Sequence, residues 1–294
     1  MRLIDTVDVN NTLGEGVVWH TETQSVWWTD IEQNKLYAYQ VKLKKLVVYM
    51  TPHRLCAFGF TVKDKTIIAA FDCGIALYNY ETQATTWLFK LPEKSPLRFN
   101  DGRIDAKGRF WVGTMNESQP QDKNSSLYCV DKNLSVEKIT SNVGIANGIA
   151  WNNEASTFYL ADSFLQSIFK YDFDYGTGAI SNRQVYATTG TDAFPDGAIV
   201  DSEDNLWSAH WGGSCLVCYT SNGEEKTYDM PVSQPTCVTF GGDNNNLLFV
   251  TTANYGFTSE QKIEQPLAGS LLIFESDVRG SNSHIFHIEE PSNV

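Results

Sequence analysis

Four phrases in this chain place an oxygen-bearing side chain directly before a glycine: Glu15-Gly16, Asp101-Gly102, Asn147-Gly148 and Asp196-Gly197. Each has a local explanation, because Asn-Gly and Asp-Gly are the commonest tight-turn dipeptides. Together they have another. Three carboxylates and an amide gathered in one place repel one another unless a cation neutralises them or some of them hold protons. An all-oxygen donor set suits a hard divalent ion such as Ca²⁺, Mg²⁺ or Mn²⁺, with water completing the shell. The open positions are those a catalytic metal needs to polarise a carbonyl or acidify water.

Convergence requires elements that repeat, and the chain supplies them. The slot recurs at Glu15-Gly16, Phe58-Gly59, Asp101-Gly102, Asn147-Gly148, Asp196-Gly197 and Thr236-Cys237, roughly 40 to 50 residues apart. After each slot a short strand meets a polar turn and then an apolar strand, as in GRIDAKGRFWVGT, GIAWNNEASTFYLAD and GAIVDSEDNLWSAH. This is hairpin grammar. Third and fourth strands follow, as in KLYAYQV and KLVVYM. The pattern predicts an all-β fold, a six-bladed β-propeller with four-stranded blades, as a single domain over residues 1–294. The strand that completes the last blade comes either from LIDTVDV near the N-terminus or from HIFHIE near the C-terminus.

In a propeller the innermost strands line a central channel, so the slot residues of all the blades form a ring there. Phe58 and Thr236 in the same slot show that the fold itself does not demand an acid. That favours a site over six independent turns.

Composition narrows the function classes. The 35 acidic residues against 22 basic ones give a net charge of -13, and KLKK at 42–45 is the one basic cluster. A nucleic-acid partner is not expected. No apolar run reaches membrane-spanning length and the N-terminus lacks a continuous apolar segment, so a membrane partner is not expected either and a cytoplasmic location is. Six cysteines spread over 294 residues read as reduced, mostly buried thiols. Cys215 and Cys218 invite a zinc or redox reading, but residues three apart on a strand point to opposite faces.

LGEGVVW with Trp27-Trp28-Thr29-Asp30-Ile31, RFNDGRIDAKGRFWVGTM, IANGIAW and FPDGAIVDSEDNLWSAHWGG resemble, in order and over nearly the whole chain, the gluconolactonase, senescence marker protein and regucalcin family of six-bladed propellers. The resemblance implies hydrolysis of sugar lactones at one divalent metal, with Ca²⁺, Mg²⁺, Mn²⁺ and Zn²⁺ all open as its identity. It implies Glu15, Asn147 and Asp196 as metal ligands, and Arg98 and Asn100 as substrate contacts. Members of the family often carry an acidic substrate contact a few residues after Gly-Thr-Met. Here Glu117 is the available residue, one position out of register.

The expected chemistry is attack of water on a lactone carbonyl, with Asp196 or Asp101 as the base. His210 follows an inner-blade strand and is a candidate for substrate contact, set against a structural histidine. No G-x-S-x-G elbow accompanies it. The expected partner is a small sugar lactone such as glucono-, galactono-, arabino- or xylonolactone, and the expected assembly is a monomer or a weak homo-oligomer. Two alternatives remain: a metal-dependent esterase or organophosphate hydrolase, and a calcium-binding regulatory propeller without catalysis.

Overall fold

The computed structural model describes residues 1–281 and 283–289. Its strands form six antiparallel sheets of four strands each, arranged as the blades of a propeller. The innermost strands are Gly14–His20, Leu55–Phe60, Leu97–Ile104, Ala146–Trp151, Phe194–Val200 and Pro235–Gly241, which define blades 1 to 6 in order. Each blade packs against the next on both faces, so strands such as Thr66–Phe71 read as continuous apolar runs and not as alternations.

The cores lie between blades. Among the described residues six buried clusters fill these seams, for example Ile68, Phe99, Phe110 and Tyr128 between blades 2 and 3 and Trp111, Ile149, Phe158 and Phe173 between blades 3 and 4. The opposite-face expectation for the two nearby cysteines holds. Cys215 packs into the seam between blades 4 and 5 and Cys218 into the seam between blades 5 and 6. No helix among the described residues is long and apolar enough to cross a membrane.

The N-terminal segment closes the ring. Arg2–Asp8 pairs antiparallel with Ser270–Glu275 as the outermost strand of blade 6. The alternative segment, HIFHIE, serves elsewhere as a strap. Phe286 donates its backbone N–H to Phe60 O at 2.7 Å, His287 to Gly108 O at 3.0 Å and Glu289 to Lys132 O at 2.8 Å. The Phe286 ring is fully buried beneath blades 2 and 3.

The recurring polar turn between a blade's first two strands has a specific content. In blade 5, Asp201 accepts hydrogen bonds from Glu203 N at 2.8 Å, Asn205 N at 3.0 Å, Asn205 Nδ2 at 2.9 Å and Trp207 Nε1 at 2.8 Å. In blade 3, Asp105 does the same for Lys107 N, Arg109 N, Arg109 Nε and Trp111 Nε1. A buried carboxylate thereby ties the hairpin to the indole at the blade's centre.

Truncating such a residue orphans several buried donors, each worth about 1–3 kcal/mol. Asp201→Ala is therefore expected to lower the unfolding free energy by about 3 kcal/mol or more. Urea denaturation would show this as a lower midpoint at unchanged slope, and an unshifted midpoint would refute the account.

Candidate functional site

The inner strands present the site because each is irregular at one end. In blade 1 the register with the second strand shifts between Glu15 and Val18, in blade 3 between Phe99 and Gly102, in blade 4 between Asn147 and Ala150, and in blade 5 between Pro195 and Ala198. A bulge of this kind leaves a residue out of the ladder and re-aims its neighbours. The glycines of the repeated phrase serve it for two different reasons. Gly16 and Gly148 adopt φ of +57° and +56°, which side chains other than glycine rarely tolerate. At Gly197 the constraint is contact, since a Cβ there would lie 2.5 Å from Cys237 Sγ on the adjoining inner strand.

The bulges turn Glu15, Asn147 and Asp196 into one pocket of about 290 Å³ at the channel mouth, together with Arg98, Asn100, Glu117 and Ser163. Phe194, Trp211 and Tyr255 supply its apolar wall and Glu32 its rim. Two expected residues do not join them. Asp101 lines a separate chamber of about 310 Å³ below, capped by Ser281, Ser283 and His284 of the C-terminal strap. The blade 3 bulge puts Asn100 in the pocket and sends its neighbour Asp101 the other way, where Oδ2 accepts from Ile149 N at 3.2 Å. His210 points into the blade, not the pocket. Its ring is buried 3.4 Å from the Tyr219 hydroxyl, and burial pushes its pKa down to about 4, so it stands as a neutral structural histidine.

A single hydrogen-bonded chain crosses three blades along the pocket wall. Glu117 accepts from Arg98 Nε at 2.7 Å, and Arg98 Nη1 donates to Asn100 Oδ1 at 2.7 Å. Asn100 Nδ2 donates to Asn147 Oδ1 at 2.7 Å, Asn147 Nδ2 donates to Ser163 Oγ at 2.8 Å, and Ser163 donates to Pro195 O at 2.7 Å. Both ends fix its direction, because a guanidinium can only donate and a carbonyl can only accept. Asn147 therefore has its oxygen turned toward Asn100 and its NH₂ turned away, and the chain ends on the carbonyl directly before Asp196.

The carboxyls of Glu15 and Asp196 are buried neighbours in the pocket wall, and each one's charge disfavours the other's. Burial first, and then the charge of Asp101, pushes Glu15 up to about 8. Burial and the charges of Glu15 and Asp101 raise Asp196 well above the carboxylate range. In the metal-free protein, burial and mutual repulsion therefore favour the protonated form of the pair. Glu117 behaves oppositely: partial burial would raise it, but Arg54 and Arg98 hold it below the ordinary value.

Several supporting residues escaped the sequence reading. Asp30 accepts from Thr12 N at 2.8 Å and Leu13 N at 3.2 Å, fixing the backbone just before Glu15. Asp162 does the same for Gly144 N at 2.9 Å and Ile145 N at 3.1 Å, just before Asn147. Their recurrence at the ends of TTD-like second strands, WTD and LAD, was the available signal. Arg54, which grips Glu117 through Nη1 and Nη2 at 3.0 and 3.1 Å, had none.

The family model described as SMP-30/Gluconolactonase/LRE-like region matches residues 13–254. The chain belongs to that family. The matched segment holds every pocket residue named above except Tyr255. L-arabinolactonase of Azospirillum brasilense is 31% identical over 273 residues, covering 92% of this chain and 90% of that protein. Pentonolactonase of Haloferax volcanii is 32% identical over 260 residues, covering 86% of each. A solved structure described as the calcium-binding protein regucalcin from Agrobacterium tumefaciens superposes with a TM-score of 0.91 at 25% identity, over 97% of this chain and 98% of that one.

For this member of the family, the donor chemistry fits a hard divalent cation. Two buried carboxyls and an amide oxygen meet in the pocket with no sulfur or imidazole among them, and burial favours their protonation, which a cation would reverse. The proton makes a prediction for metal-free protein. A carboxyl whose folded pKa is raised holds its proton in the native chain after the unfolded chain has released it, so its contribution to stability is complete below the ordinary carboxylate range and lost as pH rises to about 8. The melting temperature of chelated wild type is expected to fall between about pH 5 and pH 9 relative to Glu15→Gln, with added divalent cation removing most of the difference. Parallel pH profiles for the two proteins would contradict the raised Glu15 carboxyl.

Proposed function

We propose that this chain hydrolyses a five- or six-carbon aldonolactone to its aldonic acid, using one divalent metal ion held by Glu15, Asn147 and Asp196. The observation that carries the reading is the pair of buried carboxyls Glu15 and Asp196 beside the oriented Asn147 oxygen, in a pocket sized for a small ligand. The relatives named for arabinolactone and pentonolactone hydrolysis supply the substrate class.

Bound there, the cation supplies Lewis acidity toward the lactone carbonyl. The chain's own residues do the rest. Asp196 takes a proton from the attacking water and returns it to the ring oxygen as the C–O bond of the lactone breaks. Arg98 has Nε and Nη1 committed to Glu117, Phe99 O and Asn100, which leaves Nη2 as the donor aimed at substrate oxygens. Asn100 spends both amide hydrogens on Ala146 O and Asn147, so its role is to hold the ligand oxygen of Asn147 in place. Trp211, Tyr255 and Phe194 give one apolar face against which the carbon skeleton rests.

A calcium-binding role without catalysis is the second reading, favoured by the description of the Agrobacterium tumefaciens protein. Acid release from a panel of aldonolactones at constant pH, corrected for spontaneous hydrolysis, separates the two. Activity is expected to vanish on chelation, to return with one of Ca²⁺, Mg²⁺, Mn²⁺ or Zn²⁺, and to fall at least ~100-fold in Glu15→Gln. Asn100→Ala is expected to retain turnover at saturating metal while losing about 10- to 100-fold in metal affinity. Metal binding with no turnover of any lactone would select the calcium-binding reading.

A further inference from the structure

Beside the pocket, on the same end of the propeller, three ligand types unrelated to the oxygen site come together. His53 lies in the loop entering blade 2, and Asp72 and Cys73 form the turn after that blade's second strand. An imidazole nitrogen, a carboxylate oxygen and the thiol sulfur all lie within 4.8 Å of one another. Five of the six cysteines are buried, and Cys73 alone is part-exposed. Two further features single out the cluster. Asp72 Oδ1 is a buried oxygen with no hydrogen-bond partner, whereas its Oδ2 accepts from Arg54 Nε at 3.1 Å. Asp30 and Asp162, which end the second strands of blades 1 and 4, have both oxygens filled by backbone amides. His53 is held edge-on by Phe71 and Trp87, with ring centroids at 5.8 and 5.7 Å.

We infer that His53, Asp72 and Cys73 form a second metal site, distinct in ligand chemistry from the channel site, that binds Zn²⁺ with water in the fourth position. Nitrogen, sulfur and oxygen together select a borderline-soft ion over Ca²⁺ or Mg²⁺. Zinc-ligand bonds of about 2.0–2.3 Å in a tetrahedron set neighbouring ligand atoms roughly 3.5 Å apart, so a small rotation of the exposed His53 ring closes the site. Binding releases the thiol proton to water, and thiolate plus carboxylate then balance the two positive charges of the ion. Arg54 does not overturn this balance, because Glu32 and Glu117 neutralise it at 3.2 and 3.0 Å.

Through Asp72 Oδ2 the site is wired to the pocket: Arg54 holds Glu117, and Glu117 holds Arg98. Metal binding by His53, Asp72 and Cys73 requires no activity in the pocket.

Titration of the reduced, metal-free full chain with Co²⁺ tests it. A thiolate-to-cobalt charge-transfer band in the near ultraviolet is expected, with quenching of Trp87 fluorescence, and Zn²⁺ displaces both. The band should disappear in Cys73→Ser, weaken at least tenfold in metal affinity in His53→Ala, and persist in Glu15→Gln, which lacks a channel ligand only. His53 is exposed, so His53→Ala keeps the test valid if Cys73→Ser folds poorly. Absence of a sulfur-to-cobalt band in wild type, or its survival unchanged in Cys73→Ser or His53→Ala, would overturn the assignment.

Discussion

Ring closure is the constraint on which the rest depends. Arg2–Asp8 completes blade 6 by pairing with Ser270–Glu275, and the chain then crosses at once to the inner strand of blade 1. The short connection is pinned on the way: Asn11 N donates to Gly269 O at 2.8 Å, and Leu13 bridges Ala253. Two residues after that bridge comes Glu15. The most distant parts of the sequence therefore fix the position of a proposed metal ligand, and joining the first and last blades leaves only the short outer strand of each blade as an edge.

Within the closed ring, polar groups are arranged in two tiers. Asp30 and Asp162 clamp backbone amides ahead of Glu15 and Asn147, while Glu117, Arg98, Asn100 and Ser163 orient the amide of Asn147. The hydrogen bonds of the second tier run in one direction, with Arg98 Nη2 left over toward the pocket, which favours a single arrangement over many. The exception is the pair at the centre. Glu15 and Asp196 are kept close and buried at the pocket wall although their charges repel, and Asp101 beneath them adds to the repulsion. Strain of this kind suits a place built for a cation, since structural stability alone would favour neutral residues such as the Thr236 found in the equivalent slot of blade 6.

Most of the fold was legible because hairpin grammar is local. Strand, polar turn and apolar strand recur with their spacing, and an aspartate such as Asp201 sits in the turn whose amides it will bind. The polar pre-glycine slot was legible for the same reason, as a deviation from a repeat, and the family resemblance singled out Glu15, Asn147 and Asp196 within it, which line one pocket. The placement of Asp101 was not legible because a bulge changes which of two consecutive residues faces the pocket, and the text of RFNDG does not record whether Asn100 or Asp101 is the one turned inward. The direction of His210, left open between substrate contact and a structural role, was not legible because facing within a second strand depends on the same register, which carries it toward Tyr219.

Sequence by itself determined the number of blades, the repeated slot and the kinds of oxygen atom available in it, because these follow from side-chain type and from periodicity along one chain. Tertiary structure alone decided which terminus closes the ring, which slot residues share a pocket, and how Arg54 and Arg98 reach Glu117 from different blades. These depend on distances between segments far apart in sequence, and such distances are set by packing between blades and by bulge geometry, neither of which leaves a local mark in the order of the amino acids.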